Sequence, residues 1–172
     1  MADTVKVCLV GNSSVGKTCL IKKFVNDTFD ENEKPTVNEE HHEVEVTLED
    51  GSTLQLRIHD RPGEQDHTTA TQTYFKGAHA VVAVYAKNDG KSFEDLDSQI
   101  EDAMGAVKKP DDVVLAIVGN KSDHSNQEVD GDEASEKAEE EDALFKEVSA
   151  KTGDNVSDFF KELAEKIFEQ MG

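Results

Sequence analysis

The sequence predicts an α/β fold in which a mostly parallel six-stranded sheet, with one antiparallel strand, carries helices on both faces. Six short runs of apolar or alternating residues have the length and composition of β-strands. Segments with helical spacing alternate with most of these runs, an order typical of parallel strands joined by crossover helices. The second and third runs follow each other directly and predict a hairpin, which supplies the antiparallel strand. The six runs span residues 5–10, 41–48, 53–59, 80–86, 113–118 and 144–148.

The first half of the chain is predicted to form a strand, a helix and a hairpin. The apolar run over residues 5–10 precedes a helix-like segment over residues 19–26. Apolar and polar residues alternate in residues 41–48 and again in residues 53–59, as they do in strands with one buried face. The four residues between these runs, Glu-Asp-Gly-Ser at 49–52, favour a tight turn. The two runs are therefore expected to pair as a hairpin.

The second half continues the alternation of strands and helices. Residues 80–86 form a continuous apolar run, as expected for a strand covered on both faces. Ser92 is predicted to cap a helix, because apolar residues then recur every three or four positions. Residues 132–141 predict an acidic surface helix, and residues 155–171 predict a closing helix with an apolar inner side. The periodic apolar residues after Ser92 are Phe93, Leu96, Ile100, Met104 and Val107.

Length and charge limit the kinds of protein to consider. A chain of 172 residues is expected to form one domain, residues 1–172. Its formal net charge of −20 repels nucleic acid and anionic lipid, so neither is expected as a direct partner. The sequence contains no apolar run approaching the ~20 residues of a membrane span and no signal peptide, which predicts a cytoplasmic protein. Cys8 and Cys19 are expected to be buried without forming a disulfide.

A phosphate-binding motif follows the first predicted strand. Residues 11–18 read G-x-x-x-x-G-K-T and lie between a strand-like and a helix-like run, the context that this motif requires. The loop N–H groups can cradle phosphate oxygens at the positive end of the helix. Lys17 can reach the β- and γ-phosphates, and the Thr18 hydroxyl can bind Mg²⁺. The residues expected to bind the phosphates are Gly11, Ser13, Ser14, Val15, Gly16, Lys17, Thr18 and Cys19.

A second motif predicts which base is bound. Residues 120–123 read Asn-Lys-Ser-Asp and follow the fifth predicted strand. The Asp123 carboxylate can accept hydrogen bonds from two adjacent guanine N–H groups, and adenine presents no such pair. Asn120 can hold base N7 and nearby backbone, and the stem of Lys121 can lie along the base plane. After the last strand, residues 149–151 read Ser-Ala-Lys and can add a backbone N–H for the guanine oxygen.

Together these motifs make the whole chain resemble a Ras-superfamily small GTPase, most similar to the Rab branch. The resemblance covers about residues 5–170 and implies a small G domain of the phosphate-loop NTPase fold. It also implies GTP or GDP with Mg²⁺ as ligands and a nucleotide-dependent switch in vesicle trafficking. The residues that carry it are Gly11 to Thr18, Pro35-Thr36, Asp60-x-x-Gly63, Tyr74-Phe75-Lys76-Gly77-Ala78, Gly119 to Asp123, and Ser149-Ala150-Lys151-Thr152-Gly153.

The resemblance assigns further site residues. Thr36 would lie in the first switch and bind Mg²⁺ when GTP is bound, whereas Asp60 would hold Mg²⁺ through water. The Gly63 N–H would sense the γ-phosphate, and Phe29 would pack on the guanine. Ser149, Ala150 and Lys151 would complete the base site. The γ-phosphate and Mg²⁺ would order two polar stretches without apolar period, roughly residues 30–40 and 61–75.

The second switch departs from the family pattern. The family normally reads Asp-Thr-Ala-Gly-Gln-Glu after a Trp, whereas residues 59–65 read His-Asp-Arg-Pro-Gly-Glu-Gln. Pro62 fixes φ and removes an N–H just before the glycine that must reorient. Glu64 stands where the glutamine that orients the attacking water belongs, and Gln65 lies one residue later. Lys17, Glu64 and Gln65 are therefore the candidate catalytic residues of a GTP hydrolase whose rate we expect to be impaired.

Three alternatives stay open at this point. One is a nucleotide-bound interaction module with little or no turnover, favoured by Pro62 and Glu64. Another is an adenine-nucleotide kinase or ATPase. Such enzymes share the phosphate loop but not the motif at residues 120–123. The third concerns Arg61 as an arginine finger within the chain, against its simpler interpretation as a solvated loop residue.

The expected partner surface is also unusual. Effector, exchange and activating proteins would bind through residues 30–45 and 59–76 of a monomer. The family presents three hydrophobic positions there, and the matching positions are predicted to be His42, His59 and Tyr74. The first-switch segment is acidic, so a partner is expected to be more basic than usual. The chain ends without a prenylation cysteine, so membrane association is expected only if a lipidated tail was removed.

Overall fold

The structure is a computed structural model that describes residues 3–12, 15–29, 40–60, 74–107, 110–121 and 127–171. Within these ranges it contains one six-stranded sheet with the strand order β2-β3-β1-β4-β5-β6. β1 pairs in parallel with both β3 and β4, and the pairing stays parallel through β5 to β6. The strands are β1 Asp3–Val10, β2 Glu40–Thr47, β3 Thr53–Asp60, β4 Ala80–Ala86, β5 Val114–Asn120 and β6 Leu144–Glu147.

The hairpin of β2 and β3 supplies the antiparallel strand, as predicted. Its register places His41 opposite His59 and Val46 opposite Leu54. The turn residue Gly51 has φ +88°, which explains why glycine occupies this position. β3 lies between β1 and its hairpin partner β2. β2 is therefore at the edge of the sheet.

Five α-helices and one short 3₁₀-helix connect the described strands. The predicted helices over residues 132–141 and 155–171 are confirmed to within one residue at each end. The α-helices are α1 Lys17–Asn26, α2 Gly90–Glu94, α3 Leu96–Ala106, α4 Gly131–Glu140 and α5 Val156–Met171, and the 3₁₀-helix spans Pro110–Asp112.

Helices cover both faces of the sheet, and each face has its own apolar core. On one face α1 and α5 pack together through Phe24 and Phe160, whose stacked ring centroids lie 4.2 Å apart. On the other face α2, α3 and α4 cover β4 and β5, and Tyr85 meets Phe93 edge to face at 4.9 Å. Alternate residues of the central strands therefore reach opposite cores, which is why residues 80–86 are apolar throughout.

The prediction that Ser92 caps the helix after β4 was wrong. Asp89 is the cap, because its carboxylate accepts from the backbone N–H groups of Lys91 and Ser92 at 3.2 and 3.4 Å. Ser92 is fully buried inside the first turn, where its hydroxyl accepts from the Ala86 N–H at 2.9 Å. The helical segment is also divided at Asp95 into α2 and α3. Ser92, three residues after the actual cap, therefore bonds to the end of β4 and does not cap the helix.

Candidate nucleotide-binding site

The phosphate loop requires glycine at two described positions. Gly11 has φ +149°, and a Cβ there would lie 2.4 Å from the Val84 carbonyl oxygen. Gly16 has φ +89°, and a Cβ there would lie 2.6 Å from Nδ2 of Asn120. At both positions the backbone conformation is unfavourable for any residue with a side chain, and a neighbouring atom occupies the space that a Cβ would need. The loop can therefore approach β4 and Asn120 closely only because these two residues have no side chain.

Lys17 lies in this loop as a buried cation. The residue is 5% exposed, and Nζ donates to the carbonyl oxygens of Gly11 at 2.7 Å and Asn12 at 3.0 Å. These bonds place the ammonium across the loop at the N-terminus of α1, whose backbone N–H groups have no partner within the helix. A cation and a helix N-terminus at one point create an environment that favours an anion.

Two predicted Mg²⁺ ligands lie in direct contact. The Thr18 hydroxyl donates to Oδ2 of Asp60, which ends β3 and is completely buried. A hydroxyl and a carboxylate are oxygen donors of the kind that Mg²⁺ prefers. Mg²⁺ is usually held by one or two protein groups together with substrate phosphates and water. The donor set next to the phosphate loop therefore fits that ion.

Asn120 joins the phosphate loop to both predicted base-binding segments. Its Nδ2 donates to the Val15 carbonyl at 2.9 Å, and its Oδ1 accepts from the N–H of Lys121 at 2.8 Å and of Ala150 at 3.1 Å. The residue is 1% exposed, so these bonds are shielded from water. One buried amide thus fixes the relative positions of three chain segments that are far apart in sequence.

The N–H of Ala150 was predicted to bind the guanine oxygen, and in this structure it donates to Asn120. A base oxygen would therefore share this donor or take it over from Asn120. Ser149 is fully buried, and its hydroxyl oxygen accepts from the Thr152 N–H at 3.1 Å. Lys121 adopts φ +66°, and Lys151 is exposed. The segments after β5 and β6 therefore keep backbone groups at the carboxyl end of the sheet.

The remaining predicted site residues are partly described. Phe29 follows α1 and is 36% exposed, so its ring is accessible to a ligand. Cys19 is half-buried in α1, Cys8 is buried, and no disulfide joins them. The predicted residues outside the described ranges are Ser13, Ser14, Thr36, Arg61, Pro62, Gly63, Glu64, Gln65 and Asp123, and their assigned roles stay predictions.

A further set of residues supports the phosphate loop and was missed by sequence reasoning. Asn12 donates from Nδ2 to the Asp95 carboxylate at 2.9 Å, and its Oδ1 accepts from Nε2 of Gln99 at 2.8 Å. The hydrogen bond from Asn12 is the main cause that lowers the pKa of Asp95. Asp95 and Gln99 lie more than 80 residues from Asn12 and belong to no motif, so nothing in the sequence indicated this contact.

The structure corrects one of the three predicted partner-surface positions. His41, not His42, lies beside His59, with ring centroids 5.6 Å apart, and His59 meets Tyr74 at 6.2 Å. His42 pairs with Ile58 and therefore faces the other side of the sheet. Tyr74 is only 2% exposed, and its hydroxyl lies 2.9 Å from the Leu9 carbonyl and 2.7 Å from the His59 carbonyl. Tyr74 therefore links the carboxyl ends of β1 and β3.

Comparison with known proteins assigns this architecture to a family. The family model described as the Ras family matches residues 6–169 of the chain. The chain belongs to the Ras family. It is 37% identical over 169 residues to the Ras-related protein Rab-18 of Lymnaea stagnalis, covering 98% of this chain and 83% of the relative. It is 36% identical to Rab-18-B of Danio rerio, with 98% and 82% covered, and 34% identical to RabC of Dictyostelium discoideum, with 94% and 83% covered.

These matches make the chain a small GTPase of the Rab branch. Such proteins bind guanine nucleotides, generally with Mg²⁺, hydrolyse GTP, and act as switches that regulatory and effector proteins read in vesicle trafficking. The described geometry agrees with that assignment at the phosphate loop and at Asn120. None of the helices in the described part of the chain is long and apolar enough to cross a membrane.

Proposed function

We propose that residues 1–172 form one G domain that binds GTP or GDP with Mg²⁺ through the residues assigned above. The observation that carries the proposal is the bonding of Asn120 to both Val15 and Ala150. A phosphate site and a base site must be held at a fixed separation to recognise one nucleotide, and a single buried amide supplies that link. The guanine preference rests on Asp123, which belongs to the same motif as Asn120.

Each ligand group has a proposed partner. Lys17 and the loop N–H groups bind the β- and γ-phosphates and stabilise negative charge that develops during phosphoryl transfer. Thr18, Thr36 and Asp60 would hold Mg²⁺, which would neutralise part of the same charge when bound. Asp60 is completely buried and bonded to Thr18, so its carboxylate is held in a fixed position for this role.

The first test is the nucleotide that the purified protein carries. The protein is denatured, and the released ligand is identified by anion-exchange chromatography and compared with that from a Lys17→Ala variant. We expect about one guanine nucleotide per wild-type chain and far less in the variant, because the variant loses the buried cation that meets the phosphates. A wild-type protein that is empty and also refuses added guanine nucleotide would refute the proposal.

We further propose that hydrolysis is slow in this chain. Pro62 and Glu64 motivate this hypothesis. Pro62 restricts the backbone of the second switch, and Glu64 places an anion where a water-orienting glutamine is usual. In a single-turnover assay, Glu64→Gln is expected to hydrolyse GTP faster than the wild type, by about tenfold or more. Gln65→Ala serves as a control for the neighbouring glutamine. A wild-type rate that the substitution leaves unchanged would contradict the hypothesis.

A second candidate function is a GTP-loaded interaction module with no turnover. The same substitutions at Pro62 and Glu64 favour it. Undetectable single turnover together with mostly GTP in the purified protein would support it over a slow enzyme. Mostly GDP, with measurable turnover, would exclude it.

The proposed partner surface covers residues 30–45 and 59–76. In its described part, the outer strand β2 carries exposed Glu40, Glu43 and Glu45, and Arg57 is bound to Glu43 at 2.7 Å. This described part of the surface is therefore acidic, and the neighbouring Arg57 is already paired with Glu43. It favours a basic partner protein, whose association should slow as salt screens the attraction.

A further inference from the structure

We propose that Lys87 is a positioning residue for guanine recognition, acting through its ion pair with Glu147. The inference rests on the proposed nucleotide binding and adds a residue that lies outside every motif discussed above. Lys87 follows β4, and Glu147 ends β6, so the pair bridges the two strands on either side of β5. Asn120, at the end of β5, lies between them.

The backbone of Lys87 holds both sides of the base-recognition loop. Its N–H donates to the Asn120 carbonyl at 2.9 Å. Its own carbonyl accepts from the N–H groups of Glu128 at 2.7 Å and Val129 at 3.1 Å. The segment that begins at Asn120 and returns at Glu128 carries the Asp-containing motif, so both of its ends are fixed to one residue.

The side chain of Lys87 fixes the other base-binding segment. Nζ pairs with Oε2 of Glu147, two residues before Ser149. The chain next to Glu147 is held in turn, because the Val148 N–H donates to the Gly119 carbonyl at 2.8 Å and Asn155 donates to the Glu147 carbonyl at 3.0 Å. Through this pair, the position of the Ser-Ala-Lys segment becomes coupled to the position of the loop after Asn120.

The environment makes the pair geometrically restrictive. The Lys87 side chain is 7% exposed and that of Glu147 is 33% exposed. A Cβ at Gly131 would lie 3.1 Å from Oε2 of Glu147, so the carboxylate is enclosed from that side. Burial and then the Glu147 charge raise the pKa of Tyr85, which lies at the same end of the sheet. A buried cation must keep its partner, and the two segments must therefore move together.

The test measures discrimination between guanine and a base that lacks its exocyclic amine. Dissociation constants for GDP and IDP are determined with the full chain at saturating Mg²⁺. In Lys87→Met, we expect GDP to bind about tenfold more weakly and the GDP preference over IDP to fall several-fold. Loss of general stability would weaken both nucleotides equally and leave their ratio unchanged, so the ratio isolates positioning from folding.

Three further variants complete the design. Lys87→Arg keeps the charge and should retain most of the preference. Glu147→Gln should shift the ratio in the same direction as Lys87→Met, and it replaces that variant if it fails to fold. Lys146→Met breaks the neighbouring ion pair with Glu162 of α5, whose Oε1 lies 2.9 Å from Nζ of Lys146, and should leave the ratio unchanged.

The outcomes separate this inference from the proposed function. A folded Lys87→Met or Glu147→Gln protein with a GDP-to-IDP ratio within about twofold of wild type would overturn the role of Lys87. A wild-type protein that binds neither nucleotide would instead overturn the proposed function. A wild-type preference for GDP that both variants reduce and Lys87→Arg preserves is the result expected.

Discussion

Single residues in this protein connect segments that no local pattern relates. Asn12 illustrates this best, because its amide bonds with Asp95 and Gln99 tie the phosphate loop to the junction of α2 and α3. Asp95 also lies 3.3 Å from Nζ of Lys91. The phosphate loop is therefore supported from outside by a carboxylate whose ionised form is favoured.

The lowered pKa of Asp95 predicts a specific pH dependence of stability. Its ordinary value is 3.8, and hydrogen bonding from Asn12 moves the folded value below it. The ionised carboxylate therefore contributes stability that is fully present above pH 3.8 and is lost as pH falls through the folded pKa. Asp95→Asn should lower the free energy of unfolding at neutral pH, and the difference from wild type should shrink below pH 3.8.

Thermal unfolding at several pH values measures this difference. Glu94→Gln, an exposed neighbour on α2, is the control and should show little effect at neutral pH. A difference between wild type and Asp95→Asn that is the same at pH 7 and below pH 3.8 would contradict the assignment. Because the carboxylate is partly exposed, the effect should also decrease with added salt.

At the scale of elements, the start of α1 depends on the glycine that precedes it. Gly16 is the N-cap in the left-handed region, with no side-chain cap, and Asn120 fills the space that a Cβ would need. The helix end is thus left open toward a ligand and is closed on the other side by Asn120. Gly16 therefore both begins the helix and shapes the candidate nucleotide site.

Gly16→Ala and Gly105→Ala make a matched pair of substitutions. At Gly16 the added methyl is strained and displaces Asn120, so stability should fall by roughly 1–3 kcal/mol and GDP affinity by at least about tenfold. Gly105 lies in α3 with no atom within 4 Å of a Cβ, so alanine there should raise stability by about 0.5 kcal/mol without affecting GDP.

Denaturant unfolding and GDP titration check both variants. The pair separates local backbone strain from the general effect of an added methyl group. Unchanged GDP affinity in a folded Gly16→Ala protein would contradict the described contact between the loop and Asn120.

At the scale of the whole molecule, the sheet order brings the site together. The loops after β1, β3, β5 and β6 all leave at the carboxyl edge, and β4 contributes Lys87 at the same edge. Parallel pairing makes this unavoidable, since parallel strands end on one side. The phosphate loop, Asp60, Asn120 and Ser149 therefore meet although they span more than 130 residues of chain.

The two-sided core explains the tolerance of an acidic surface. A net charge of −20 opposes compaction, and the apolar clusters on both faces of the sheet offset it. The acidic helix α4 buries only the small residues Ala134 and Ala138 and leaves its charges in water.

The amino-acid sequence by itself determined the strands, the hairpin, most helix bounds, the phosphate loop and the Asn-Lys-x-Asp motif. These features depend on short-range periodicity and on residues that lie next to each other in the chain, so local physical chemistry is sufficient to predict them. The cap at Asp89 was missed because several residues near Ser92 could compete for the same backbone groups, and local signals do not rank them.

The tertiary structure alone decided the contacts between segments. The bonds of Asn12 with Asp95, the ion pair of Lys87 with Glu147, and the placement of His41 instead of His42 beside His59 depend on strand order and register. A shift of one residue in register moves a side chain to the opposite face, and pairing over 60 residues leaves no periodic trace. The motifs were therefore sufficient to predict the chemistry of the site, whereas the contacts that hold the site in place could be identified only from the tertiary structure.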